Sequence, residues 1–142
     1  MNVRITGTED VMRALQALAA KVPSAIERAL REESEVVMTE AKQLVPVEVG
    51  VLKGTGFVGP VQRRGDVYRA DLAFGGPAAG YAEVQHEDET LNHTGTHYSS
   101  RLRRRYERTG QAKYLEQPVM EAQPGFAERM RDRIARDLGT DL

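Results

Sequence analysis

The 142-residue chain has no cysteine and no tryptophan, and its aromatic side chains are three Phe and five Tyr. Without cysteine there is no disulfide and no thiolate chemistry, which fits a reducing compartment. With few aromatics, the core falls to Ala, Val, Leu and Met, which bury less area per residue. Such a chain is expected to be a marginal monomer that covers its remaining apolar surface with partners. No apolar run approaches the roughly 20 residues that cross a bilayer, so no membrane partner is expected. The opening MNVRITGTED lacks the basic-then-apolar order of a signal peptide, which points to a cytoplasm. Charge of one sign is also missing: the formal net charge is −1. That argues against bulk attraction to DNA and leaves only a local basic patch.

What is present suffices for one domain, residues 1–142. Residues 2–6, NVRIT, suit a short strand or an arm. Thr8 is a candidate N-cap for a first helix, with Glu9 and Asp10 in the turn where the helix dipole favours anions. Val11, Leu15 and Leu18 then share a face, and Pro23 ends that helix or starts the next. Ser24 can cap a second helix, in which Ile26, Leu30, Val37, Ala41 and Leu44 form an apolar stripe interrupted at Glu33 and Ser34. Glu27, Arg28, Arg31, Glu32, Glu35 and Glu40 read as a solvated face with pairs such as Glu27 with Arg31.

After Pro46 the chain changes character. Gly50, Gly54, Gly56, Gly59 and Pro60 break any helical period. Two strands are predicted, Val61 to Arg63 and Val67 to Phe74, around the turn RRGD; in the second, Tyr68, Ala70, Leu72 and Phe74 alternate with their neighbours. Tyr81, Ala82 and Val84 lie in a short helical or extended piece. Tyr114, Leu115, Val119 and Met120 suggest a short helix with Pro118 near its start or at a kink. In the last helix Phe126, Met130, Ile134 and Leu138 recur every fourth residue, and Gly139 is the stop. The expected fold is α+β: two N-terminal helices packed on a small antiparallel β-sheet, a C-terminal helix and one long loop, about 86–110.

That loop, HEDETLNHTGTHYSSRLRRRYERTG, holds all three histidines, three consecutive acids and five arginines within eight residues. His93 and His97 are spaced as two zinc ligands on a helix would be, with His86 and Glu87 nearby. Gly95 between two threonines makes a poor helix, however, and no HExxH order is present, so no metal is predicted. Arg101, Arg103, Arg104, Arg105 and Arg108 could contact phosphates, with Tyr106 stacking on a base. The acids Glu87, Asp88 and Glu89 partly cancel that patch. The reading preferred here is a charged excursion that pairs with acidic surfaces on this subunit or a neighbour.

Catalysis is not expected. Ser99 and Ser100 lie in no nucleophile-elbow pattern, and GTGFVG and GGPAAG lack a phosphate-loop lysine. Nothing assembles a nucleophile, its base and an orienting group. No cofactor is predicted.

Three fragments in order, LVPVEVGVLKGTG after a long amphipathic helix, then GYAEVQHE, then GQAKYLEQPVMEA, resemble the small neck proteins of long-tailed double-stranded DNA phages. That is the tail-component family, also described as minor capsid, head–tail connector or tail-completion proteins. The first motif falls on Pro46, Val47, Gly50, Leu52 and Lys53. The second falls on Tyr81, Ala82, Val84, Gln85 and His86, and the third on Gln111, Lys113, Tyr114, Leu115 and Pro118. The resemblance spans about residues 10–135. It departs from the family at Gly54-Thr55-Gly56 and in the length of the 87–110 segment. Each motif has a physical reading: Pro46 stops the helix, Gly50 permits a reversal, Leu52 anchors the turn, and Tyr114 and Leu115 refasten the chain.

The resemblance implies a non-catalytic virion structural protein, located in the neck or tail and in the host cytoplasm during assembly. It implies a homo-oligomeric ring, commonly hexameric and closed by head-to-tail contacts. Its partners would be the head connector and the tail tube or terminator, with transient, non-specific passage of DNA. The alternative is a small nucleic-acid-binding protein using Arg101 to Arg108.

Overall fold

The structure is a computed structural model that describes residues 7–46, 51–76, 79–90, 95–99, 104–108 and 110–139. Residues 2–6, Val47, Gly50, His93, Arg101 and Arg103 lie outside the described residues. So do the side chains of Tyr81 and of 95–99 and 104–108.

One helix, α1 (Thr8–Leu44), replaces the two expected before Pro46. Gly7, at φ 102°, takes the N-cap position assigned above to Thr8, and Val11 donates its N–H to the Gly7 carbonyl at 3.2 Å. Pro23 lies inside the helix. A mid-helix proline removes one hydrogen bond and costs about 3 kcal/mol. Alanine- and leucine-rich turns before it and packed turns after it hold the helix through that gap. Ser24 does not cap a new helix; its hydroxyl donates back to the Lys21 carbonyl at 2.9 Å.

α1 ends where Val45 turns extended, with its N–H still bound to the Ala41 carbonyl at 3.0 Å. A single turn, α2 (Val51–Gly54), buries Leu52. β1 (Phe57–Val58) pairs antiparallel with β4 (Leu72–Ala73), and β2 (Gln62–Arg64) with β3 (Val67–Arg69). The two ladders are one interrupted hairpin. Val58 faces Leu72 and Gln62 faces Arg69, so three residues, Gly59 to Val61, oppose two, Ala70 and Asp71. That extra residue makes a bulge. Gly59 bridges it by donating to the Asp71 carbonyl at 2.7 Å, and Pro60, which has no N–H to donate, falls inside it. The single strand expected over Val67–Phe74 is therefore split.

α3 (Ala79–Glu87) follows, then β5 (Gly95–Ser99) and β6 (Arg104–Arg108), paired antiparallel with Gly95 facing Arg108 and Ser99 facing Arg104. The expected single small sheet is thus three two-stranded ladders among the described residues. The expected loop over 86–110 starts on a helix and contains a hairpin. α4 (Glu116–Ala122) and α5 (Phe126–Leu138) close the chain, and Gly139 at φ 67° caps α5 as expected.

The core has two parts. Val45, Leu52, Ala82 and Tyr114 form one cluster, with Leu44, Phe74 and Leu115 against it. The other is the seam between α1 and α5, where Ala25, Ala29 and Ala135 are buried; their small side chains let the helices approach closely.

Candidate functional site

The three motif fragments meet at a junction. Tyr114, from the third, is 1% exposed and donates its hydroxyl to the carbonyl of Ala82, in the second, at 2.9 Å. Its ring meets Phe74 and His86 edge-on, with centroids 5.2 and 5.0 Å apart. Such contacts add about 0.5–1.5 kcal/mol beyond area burial between aromatic rings. From the first fragment, Val45, Pro46 and Leu52 are buried in the same place. Gly110 at φ 130° passes directly against Pro46, and Gln111 donates its N–H to the Leu44 carbonyl at 2.9 Å. Lys113, at φ 54°, donates its N–H to the His86 carbonyl at 2.8 Å. Gly56, in the departure from the family pattern, is explained locally: a Cβ there would lie 2.6 Å from Phe74 and 2.9 Å from Met38.

His86 is a structural connector here. Its Nε2 receives the Glu116 N–H at 3.3 Å and its Nδ1 lies 2.6 Å from Glu87 Oε1. Glu87 also binds Lys113 Nζ at 2.5 Å, and Lys113 reaches Glu116 at 3.2 Å. Lys113 first and His86 second hold the Glu87 carboxyl below its usual range. Glu87 and then Glu116 raise the Lys113 ammonium.

The three acids read together in the sequence therefore separate. Glu87, itself exposed, pairs with Lys113. Asp88 accepts from the Thr90 N–H at 2.9 Å and its hydroxyl at 2.5 Å, and Glu89 is exposed. Arg104, Arg105 and Arg108 fall on β6. No group of three or more His, Cys, Asp or Glu suited to a metal ion occurs among the described residues.

Sequence reasoning missed a second constellation. Glu33, 3% exposed, binds Arg129 at 2.9 Å and Arg133 at 2.8 Å. Arg129 also reaches the carbonyls of Pro124, at 2.8 Å, and Ala122. Arg133 and Arg136 both contact Glu32, and Arg28 binds Asp137 at 2.8 Å. Burial is the largest influence on Glu33 and pushes its pKa up; the two guanidiniums outweigh it and leave the carboxyl below its usual range. The Glu33 hydrogen bond, first among its causes, raises Arg133. The expected pair Glu27 with Arg31 is replaced by Arg31 with Glu35, at 3.7 Å. The signal in the sequence was the break in the α1 stripe at Glu33, matched by Arg129, Arg133 and Arg136 spaced along one side of α5.

Beside this clasp lies an open apolar groove of about 340 Å³. Leu30, Glu33, Ser34 and Val37 of α1 form its floor; Ala70, Leu72, Val119, Ala122, Gln123 and Phe126 form its walls. Ser34 donates to the Leu30 carbonyl at 2.8 Å and Glu33 is held by its arginines, so both polar floor groups are already engaged. The groove offers packing surface and brings together no nucleophile with its base.

No protein-family model, no curated protein and no solved structure matches this chain.

Proposed function

We propose that this chain is a virion structural protein: a ring-forming subunit, commonly six to the ring, at the head–tail junction of a long-tailed double-stranded DNA phage, with no catalytic role. It joins the head connector to the tail tube or terminator and surrounds the passing DNA without reading it. It resides in the neck or tail of the particle and in the host cytoplasm before assembly.

The observation that carries this reading is the junction at Tyr114. Three fragments that resemble the family's motifs lie far apart in the chain and meet around one tyrosine hydroxyl and one glycine–proline contact. A second support is apolar surface a lone subunit leaves in water: Val11, Met12 and Leu15 on α1 and Val119, Met120 and Phe126 near the groove are all more than a third exposed.

Cryo-electron microscopy of the particle carrying this protein tests the reading. Density for this chain as a ring between head and tail is the expected result; its absence from that position would reject it. The alternative, a nucleic-acid-binding protein using Arg101 to Arg108, draws on the arginines of β6. A salt titration separates the two: several phosphate contacts give a steep fall in DNA affinity with salt, whereas a ring subunit has weak and unselective binding.

A further inference from the structure

The first ten residues of α1, Thr8 to Ala17, are all exposed. Val11, Met12 and Leu15 are 58%, 55% and 55% exposed, and they fall on one side of that segment. A helix end left in water does not keep three large apolar side chains for its own stability. They form a projecting knob, and the groove between α1, the hairpin and α4 is a hollow of matching character.

The knob cannot fill the groove of its own chain. Both are built on α1, a single continuous helix. At 1.5 Å rise per residue, Val11 lies about 28 Å along the axis from Leu30 on the groove floor. With α1 helical through Pro23, the arm does not reach the groove of its own chain. The occupant therefore comes from another molecule, and one kind of molecule has both halves of the contact.

We propose that the N-terminal arm of α1 in one subunit seats Val11, Met12 and Leu15 in the apolar groove of the next copy of this chain, making a head-to-tail contact that repeats until the ring closes. This rests on the ring reading and specifies the interface within it. A foreign partner would cover the knob or the groove and leave the other in water; a second copy covers both with one repeated contact. Area points the same way. An arm of this length, about 15 Å long and 10–12 Å wide, buries one face of roughly 250 Å², about a third of what each partner buries in a standard interface. A lone pair is therefore weak. In a closed ring each subunit makes the contact twice, once with its arm and once with its groove.

The absence of native cysteine makes the test direct. Leu15→Cys and Val119→Cys are placed in one chain, at residues 55% and 41% exposed, where neither change disturbs the core. The purified protein is treated with a short bismaleimide at a concentration where the unmodified chain assembles, after circular dichroism has shown the native fold. The expected result is a covalent ladder that stops at the ring size. Each single-cysteine variant still assembles but stays uncrosslinked, and their equimolar mixture gives a crosslinked dimer. Arm-to-arm dimers from Leu15→Cys alone would overturn the proposal. So would an uncrosslinked double variant in an assembly that still forms; that outcome leaves the ring reading intact. An unmodified chain that stays monomeric at every concentration overturns both.

Discussion

Gly110 and Pro46 touch backbone to backbone: a Cβ on Gly110 would lie 2.5 Å from both the Cα and the nitrogen of Pro46. Gly110 also holds φ at 130°, where a side chain is strained. Gly110→Ala is therefore expected to destabilise the fold by about 2–5 kcal/mol, strain and overpacking together. Gly54→Ala, at a glycine with open space around it and no positive φ, is the control and should change little. Urea titration of both variants measures the difference.

Removing only the Tyr114 hydroxyl isolates the hydrogen bond at the junction. Tyr114→Phe leaves the Ala82 carbonyl without that donor in a buried place, at a cost of about 1–3 kcal/mol. Tyr114→Ala removes the ring as well and should cost about 3–5 kcal/mol. Equal losses for the two would mean that the ring's packing against Phe74 and His86 contributes nothing.

The clasp at Glu33 should make stability depend on acid. Its carboxyl is held below the unfolded value of about 4.3. The charged form is thus favoured by folding, so its contribution is complete above that pH and is lost as pH falls through the depressed folded value. Glu33→Gln should lose about 1–3 kcal/mol near neutrality, discounted because Arg129 is itself 40% exposed. It should also flatten the acid limb of the stability curve. Denaturation at a series of pH values below 5 checks both.

Charge reversal at Arg103, Arg104 and Arg105 tests whether the 86–110 segment serves assembly. The variant is expected to keep the monomer's circular dichroism spectrum and melting temperature and to lose oligomers in sedimentation. Normal assembly would make the segment a passenger.

Pro23→Ala restores one backbone hydrogen bond in mid-helix, from residue 23 to the carbonyl of Ala19. Slower hydrogen exchange across residues 8–22 is expected, with the seam at Ala25 and Ala29 unchanged. Unaltered exchange in 8–22 would mean that this part of the helix is limited by its free N-terminus and not by the proline.

How far residue patterns reveal such a fold depends on whether the signal is local. α5 was legible because its apolar residues recur every fourth position and Gly139 stops it. Pro46 was legible as a helix stop and Leu52 and Tyr114 as anchoring residues, and the structure buries all three. Pro23 misled because a proline's local cost of about 3 kcal/mol was weighed without the packed turns at Ala25 and Ala29 that carry the helix on. The strand expected over Val67–Phe74 is split by a mismatch of one residue with Gly59–Val61, which no period within either strand records. Glu33 read as an interruption because its partners stand 96 and 100 residues later. The 86–110 segment read as a loop because its helical start shows no strong apolar period and its hairpin is built from polar residues.

That same separation sets an order of events during synthesis. At about 5–20 residues per second, the 96 residues between Glu33 and Arg129 take roughly 5–20 seconds to make. Through that interval α1 is complete, yet Glu33 has no arginine to meet and its charge keeps that face hydrated. The seam closes only once the last helix has been made, and the two arginines that neutralise Glu33 arrive with the helix that covers it.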